Sequence, residues 1–142
     1  MKNLSKFLFV FGLLCMISSD VQGDRSFITV KNELNPKDKA GPRLIMAYCK
    51  SKNNMIGPRY LKFEEIMIFG FKTNVWGTTE FWCVVKEGPH YNKRYGSFTA
   101  YKAKGLFVKD DGTKWNWSAK DDGFYFHKGN MPSLKLANWT MN

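Results

Sequence analysis

The sequence contains few of the residues that most enzyme active sites and metal sites use. It has only two histidines, His90 and His127, and nothing in the sequence brings them together. The paired acids also offer little. Glu64 and Glu65 would face opposite sides of a strand, and the Asp-Asp pairs at 110–111 and 121–122 each precede a glycine, as turn residues do. We therefore expect no catalytic residue, no metal site and no cofactor, and hence a protein that is not an enzyme.

Long apolar runs are also missing. The longest, Phe7–Ile17, has eleven residues, whereas a helix that crosses a membrane needs about 20. Lys2 and Lys6 precede this run, and Val21 and Gly23 follow it at positions −3 and −1 of a cleavage site. This layout predicts a signal peptide over residues 1–23 and a single secreted domain over residues 24–142. No transmembrane segment is expected after cleavage.

Acidic residues are in the minority. The whole chain has a formal net charge of +10, and removal of Lys2, Lys6 and Asp20 with the signal peptide leaves +9. Such a charge favours anionic neighbours, including pectic sugars, phospholipid surfaces, nucleic acid or an acidic protein face. The charge does not choose among them, and it also fits a basic surface that only keeps a secreted protein soluble.

Cysteine is scarce as well. Cys15 leaves with the signal peptide, so that only Cys49 and Cys83 remain. In an oxidising compartment two cysteines most simply form one disulfide. In the chain-entropy model this bond would contribute roughly 3.8 kcal/mol, as an upper value because native strain subtracts from it.

Two sequons lie within the mature chain, at Asn116-Trp117-Ser118 and Asn138-Trp139-Thr140. Both are candidate sites of N-glycosylation in a secreted protein. Asn138 is the stronger candidate because it lies near the C-terminus, which is usually exposed, whereas Asn116 lies inside a predicted strand.

What the sequence does have is an abundance of aromatic residues, while leucine and alanine are sparse, which favours strands over helices. In Phe27–Leu34, apolar side chains alternate with polar ones, as in a half-buried strand. Leu44–Cys49 is apolar at successive positions, which predicts a central strand covered on both faces. The remaining predicted strands are Arg59–Lys72 (one or two strands, broken at Glu64-Glu65), Thr78–Val85, Ser97–Ala103, Leu106–Val108, Trp115–Ser118 and Phe124–His127. About eight short strands separated by turns predict an all-β sandwich or barrel.

Three polar loops are the candidate recognition surfaces, because loops on a rigid β framework often carry binding residues. They are Lys50–Pro58, Lys86–Gly96 and Lys109–Lys114. Their basic, amide and aromatic side chains could contact an anionic partner. The candidate residues are Lys52, Asn53, Asn54, His90, Tyr91, Lys93, Arg94, Lys109 and Lys114.

A series of short motifs runs through residues 27–127. They are Val30-Lys31-Asn32, Tyr48-Cys49-Lys50-Ser51, Phe69-Gly70-Phe71, Trp76-Gly77-Thr78-Thr79, Glu80-Phe81-Trp82-Cys83, Trp117-Ser118 and Asp122-Gly123-Phe124-Tyr125. In this order and spacing they resemble the plant self-incompatibility stigma-protein family, the S-protein homologues. The resemblance implies a small, secreted, antiparallel β-sandwich that acts as a ligand.

The chain departs from the family pattern at one point. Members usually carry two further cysteines just before the closing tryptophan, and here Trp115 stands where the last of them would be. Loss of both implies that those two pair with each other, which leaves Cys49 to pair with Cys83. The C-terminal hairpin must then rely on packing, with Trp115 and Trp117 as the candidates.

The resemblance implies an extracellular signalling ligand that binds a cell-surface receptor protein, as in cell–cell recognition and the rejection of self pollen. An anionic cell-wall glycan is a further candidate partner, whereas nucleic acid is not expected, and the protein is expected to be a monomer. One alternative is a secreted cationic defence protein that binds microbial membranes or cell-wall glycans. A secreted ribonuclease that uses His90 and His127 is a weaker alternative.

Overall fold

The computed structural model describes residues 25–37 and 42–142, so the predicted signal peptide lies outside the described residues. Strands make up most of the described part, and no described residue is helical. The strands are β1 (Ser26–Asn32), β2 (Ile45–Lys50), β3 (Met55–Leu61), β4 (Ile66–Phe71), β5 (Glu80–Glu87), β6 (Arg94–Lys102), β7 (Lys114–Lys120), β8 (Gly123–Lys128), β9 (Leu134–Ala137) and β10 (Thr140–Met141).

These ten strands form two five-stranded sheets that share one core. Sheet A has the order β4-β1-β7-β8-β9, and sheet B has the order β10-β6-β5-β2-β3. Among the described strands only β1 and β7 pair in parallel, with Thr29 opposite Asn116. The predicted all-β sandwich is confirmed, and this parallel pair is its one departure from an antiparallel arrangement.

Aromatic side chains join the two sheets at the centre of the core. Phe98 of β6 stacks on Trp117 of β7, with ring centroids 4.1 Å apart, and also contacts Phe124 of β8. The indole Nε1–H of Trp117 donates a 3.1 Å hydrogen bond to the Ala100 carbonyl oxygen. Trp117 therefore buries its ring without leaving its one polar atom unpaired.

The predicted disulfide is confirmed. Cys49 of β2 lies directly opposite Cys83 of β5, their sulfur atoms are 1.99 Å apart, and both residues are fully buried. The bond links two neighbouring strands of sheet B, close to the C-terminal end of β2.

The hairpin formed by β7 and β8 is held by aromatic packing. Trp115 stacks on Phe126 with centroids 5.7 Å apart and meets Tyr101 of the other sheet edge-on at 4.9 Å. Trp117 contacts Phe126 as well, at 4.9 Å. The expectation that Trp115 and Trp117 position this hairpin is therefore consistent with the structure.

One predicted strand is wrong. The segment Leu106–Val108 is irregular, because Gly105 and Phe107 both have positive φ, +82° and +55°, which an extended strand does not tolerate. Conversely, β9 and β10 lie beyond the last predicted strand. Residues 134–136 and 137–141 each alternate, but the two runs are out of phase at Leu136-Ala137 and the strands have only four and two residues, so the pattern is too short to predict a strand.

The predicted boundaries also shift. β3 already begins at Met55, so the first predicted loop shortens to a turn over residues 51–54. β5 extends to Glu87 and β6 begins at Arg94, so the second shortens to residues 88–93. The outer face of β2 is only partly covered, since Met46 and Tyr48 stay half-buried. The sequence of this face is apolar because it carries the long side chains of Met46 and Tyr48, and not because a second layer covers it.

Candidate functional site

The three predicted loops lie at two opposite ends of the sandwich. In sheet B, Lys50 pairs with Trp82 and Glu80 pairs with Lys102. The turn over residues 51–54, the loop over 72–79 and the loop over 103–113 therefore share one end, which we call the disulfide end. The loop over 88–93 lies at the other end, the far end, about 25 Å away across the eight residues of β5.

At the far end, a buried ionic cluster holds Arg94. The Arg94 Nε donates to Glu87 Oε2 at 3.0 Å, its Nη1 donates to the Asp121 carbonyl oxygen at 2.8 Å, and its guanidinium lies 4.2 Å from the ring centroid of Trp139. Because Glu87 is only 2% exposed, Arg94 connects β5, β6, the β7–β8 turn and the C-terminal segment from within the protein.

Arg43 completes this cluster just before β2. Its Nη2 donates to Glu87 Oε1 at 2.8 Å, and its Nη1 donates to Asp121 Oδ1. Burial acts to lower the pKa of Arg43, but the hydrogen bonds and negative charges of Glu87 and Asp121 outweigh burial and raise it. Partial burial likewise acts to raise the pKa of Asp121, while the Asn35 N–H and the Arg43 guanidinium lower it below its usual value.

The other three far-end candidates are more accessible. His90 is exposed, Tyr91 packs against Tyr60 of β3 with ring centroids 5.3 Å apart, and the Lys93 Nζ lies 3.7 Å from Glu87 Oε2. The far end thus offers a partner His90 and parts of Tyr91 and Lys93, while Arg94 is engaged inside the fold.

At the disulfide end, two loops present an apolar tip formed by Val75, Trp76, Leu106 and Phe107. Trp76 is 73% exposed and Phe107 is 78% exposed. The loops are joined through the backbone, because the Phe107 N–H donates to the Val75 carbonyl oxygen at 3.0 Å. We call this cluster the aromatic tip. In the sequence, the aromatic tip is indicated only by the apolar run at 106–108, which also fits a strand and was predicted as one.

Hydrogen bonds beneath the aromatic tip fix both loops. The Thr73 hydroxyl donates to Asp110 Oδ1 at 2.8 Å and shares a 2.6 Å hydrogen bond with the Tyr101 hydroxyl, while Ser26 Oγ donates to the same Asp110 oxygen at 2.7 Å. Burial raises the pKa of Tyr101, although the bond with Thr73 acts against it. Asp110 is thus occupied by structural hydrogen bonds.

The predicted turn residues Lys52, Asn53 and Asn54 lie at the same end as this tip and are exposed. Reciprocal hydrogen bonds between Ser51 and Asn54 close their turn. Lys109 and Lys114 are exposed at the same end. Five of the nine candidate residues therefore lie at the same end of the sandwich as the aromatic tip.

A cleft of about 560 Å³ opens between the 51–54 turn and the 72–79 loop. Amides, hydroxyls and one carboxylate line it together with the half-exposed Trp82, and Lys52 and Lys72 stand at its edge. Four further apolar side chains also line it, those of Ile56, Phe69, Phe71 and Phe81. The 72–79 loop is rigid here because Asn74 hydrogen-bonds to Thr78 through both side-chain atoms. An indole ring beside polar side chains is a combination that can bind a sugar.

The two histidines do not converge. His127 lies on β8, one residue from its disulfide end, where Lys128 pairs with Trp115, whereas His90 lies in the far-end loop. Within residues 25–37 and 42–142, no three His, Cys, Asp or Glu side chains come close enough together to bind a metal ion. The described part also contains no helix of the length and hydropathy needed to cross a membrane.

The fold and the disulfide end define a small β-sandwich with an exposed aromatic and basic surface and one buried disulfide. Residues 27–139 match the family model described as plant self-incompatibility protein S1. The chain therefore belongs to the plant self-incompatibility S-protein homologues and is a secreted protein.

Relatives at several distances agree with this family. The chain is 61% identical to S-protein homolog 21 of Arabidopsis thaliana, over 98% of this chain and 99% of that protein. It is 40% identical to S-protein homolog 17 of Arabidopsis thaliana, over 95% of this chain and 90% of that protein. A solved structure of an SPH protein, from a family described as widespread, small, highly stable and secreted, superimposes with a TM-score of 0.64 at 27% identity, covering 82% of this chain and 95% of that one.

Proposed function

We propose that the protein is an extracellular signalling ligand that binds a cell-surface receptor protein with its disulfide end and has no catalytic activity. The observation that carries this proposal is the aromatic tip. Contiguous exposed apolar side chains on a soluble domain commonly mark an interaction site. Tryptophan is among the residues that contribute most to protein–protein binding.

The aromatic tip is also held in place before binding. The Phe107–Val75 backbone hydrogen bond and the Thr73–Asp110 pair below it restrict both loops. A surface that is already ordered loses less conformational entropy on association. The tip therefore suits recognition of a complementary pocket on a receptor.

Positive charge surrounds the tip. Lys72, Lys104 and Lys109 are exposed at the disulfide end, and none of them forms a salt bridge with another described residue. Lysines at the rim of an interface chiefly raise the association rate with an acidic partner. We therefore expect an acidic receptor face around an apolar pocket.

The neighbouring cleft supports a second partner of the same ligand, an anionic cell-wall glycan. Trp82 could stack on a sugar ring, and Lys52 and Lys72 at the edge of the cleft could pair with uronate carboxylates. Such binding would concentrate the ligand in the wall near its receptor. Retention on polygalacturonate, lost on substitution of Trp82 by alanine, is the expected result.

A second candidate function is defence by binding anionic membranes. An exposed tryptophan and phenylalanine with lysines around them is also a combination that binds at a lipid–water interface. The two functions differ in what the aromatic tip contacts, so one binding experiment can separate them.

The experiment measures binding of the oxidised, fluorescently labelled protein to intact plant protoplasts, before and after protease treatment of the cell surface. We expect saturable binding that protease removes and that a Trp76→Ser and Phe107→Ser double variant weakens by about tenfold or more. The matched control is Ile66→Ser with Ile68→Ser, which removes two half-exposed apolar side chains from the edge strand β4.

The outcomes are distinct. Protease-resistant binding, together with equal binding to phosphatidylserine vesicles, would favour the membrane function over the receptor function. Equal loss in the tip variant and in the β4 control would reject the aromatic tip as the contact surface.

A further inference from the structure

Sheet B leaves one of its edges largely open. The short strand β10 pairs with β6 only at Tyr95 and Arg94, so no other described strand pairs with β6 on that side. Sheet A ends nearby with the four-residue strand β9. Between these two edges the sandwich opens into a groove of about 410 Å³, which lies within the size range of small-molecule sites.

The floor and walls of this groove are apolar. Trp115, Phe126 and part of Trp117 form the floor, while Val108 and Leu136 form the sides. The backbone carbonyl of Ala100, which also lines the groove, already accepts the hydrogen bond from Trp117. The interior of the groove can therefore accept an apolar group without leaving that carbonyl unpaired.

The rim is positively charged. Lys102, Lys104 and Lys128 line the groove and are exposed, and none of them forms a salt bridge with another described residue. The Lys128 Nζ lies 4.8 Å from the ring centroid of Trp115, so it stands directly over the floor. The side-chain and backbone hydrogen bonds from Thr113 lower the pKa of the nearby Asp111 carboxylate, and Lys128 adds a smaller effect in the same direction.

We infer that this groove binds a small carboxylate with an apolar chain, of the fatty-acid type, with the chain against the apolar lining and the carboxylate among the three lysines. The charge of the rim selects an anion, and the apolar lining selects a ligand with a hydrocarbon body. A lysine beside an apolar surface gains more from a carboxylate than one in open water, because screening is weaker there. This site shares the disulfide end with the aromatic tip, but none of the four tip residues lines the groove, so its ligand need not depend on receptor binding.

The test is calorimetric titration of the full mature protein with dodecanoate below its micellar concentration. Dodecylammonium supplies the same chain with the opposite charge, and acetate supplies the charge without the chain. We expect one dodecanoate per protein and binding of both other probes that is at least about tenfold weaker. Equal binding of dodecylammonium would overturn the inference, because it would show adsorption to apolar surface alone.

Two variants on one strand provide the structural control. Leu136→Asp removes an apolar wall and places a carboxylate beside the ligand's own, whereas Leu134→Asp makes the same change on β9 outside the groove. Both positions are exposed, at 58% and 64%, so neither change should unfold the protein. We expect Leu136→Asp to weaken dodecanoate binding by about tenfold or more and Leu134→Asp to change it little. Equal effects of the two would overturn the inference.

The contribution of the lysines is tested separately, with two variants that have the same net charge as each other. The variant with Lys102, Lys104 and Lys128 replaced by glutamine is compared with one that replaces Lys37, Lys50 and Lys62, none of which lines the groove. Only the first should lose dodecanoate. The tip variant Trp76→Ser with Phe107→Ser should keep full dodecanoate binding, and loss of binding in it would place the dodecanoate on the aromatic tip and overturn the inference.

Discussion

Gly77 and Gly105 pack backbone against backbone at the base of the aromatic tip. A Cβ atom on Gly77 would lie 1.8 Å from the Gly105 carbonyl oxygen, whereas a Cβ on Gly105 would meet no atom within 4 Å. Both residues have positive φ. The contact is therefore asymmetric: only Gly77 must lack a side chain for the two loops to meet.

This asymmetry predicts different costs for two identical substitutions. Gly105→Ala should lower the free energy of unfolding by about 1–2 kcal/mol, the cost of a left-handed alanine. Gly77→Ala adds the steric clash, so we expect a larger loss, about 3 kcal/mol or more. Urea denaturation of both variants checks this, and equal values for the two would contradict the packing. Gly77→Ala should also weaken protoplast binding, because it separates the loops that form the tip.

The buried carboxylate of Glu87 should be essential for stability. Glu87→Ala leaves Arg43 and Arg94 in the interior without their common partner, and breaking a buried ion pair in this way costs about 3–5 kcal/mol. The control is the same substitution at Glu33, which lies near Lys31 and Lys120 at the surface. It should cost little, since exposed ion pairs contribute about 1 kcal/mol or less. Chemical denaturation should separate the two variants clearly, and similar losses would mean that the cluster around Glu87 is not a stabilising one.

Asp121 should make the stability depend on acid pH. Its pKa is lower in the folded protein than in the unfolded chain, so its contribution is fully present above about pH 4–5 and is lost as the pH falls through the folded-state pKa. Asp121→Asn keeps an acceptor for the Asn35 N–H but carries no charge. The stability difference between parent and variant should therefore shrink between pH 7 and about pH 2. A difference that stays constant over this range would contradict the pKa shift.

The two sequons should differ in occupancy. Asn138 is exposed between β9 and β10, whereas the Asn116 side chain in the central strand β7 accepts a 2.7 Å hydrogen bond from Thr29 Oγ1. We predict that the protein secreted by plant cells carries a glycan on Asn138 and none on Asn116. The intact mass should fall by one glycan in Asn138→Gln and stay unchanged, apart from the substitution, in Asn116→Gln. The reverse pattern would refute this prediction.

Local patterns predicted much of the fold. Alternation in Phe27–Leu34 predicted a half-buried strand, and its apolar residues Ile28 and Val30 are fully buried. The count of cysteines predicted the disulfide correctly. These signals lie within one strand or depend only on composition, so they can be read without knowing which segments meet.

The candidate site was harder to predict, because it depends on segments distant in sequence. Arg94 resembled a free cation in a loop, but Glu87 and Trp139 enclose it. The run that contains Leu106 and Phe107 predicted a strand, because a short apolar run fits a buried strand as well as it fits an exposed loop. In the structure the backbone of their loop bonds to the 72–79 loop, and both side chains are exposed. This contact joins segments distant in sequence, so no local pattern could predict it.

The parallel pairing of β1 with β7 also constrains how the chain is made. The two strands meet with Thr29 beside Asn116, 87 residues apart in sequence, and β7 separates β1 from the β8–β9 half of sheet A. While the chain enters the secretory pathway, β1 must therefore wait with one edge unsatisfied until nearly the whole polypeptide has been synthesised. Such long-range pairing slows folding, so the last quarter of the translation product, rather than the first strands to emerge, should trigger the cooperative folding step.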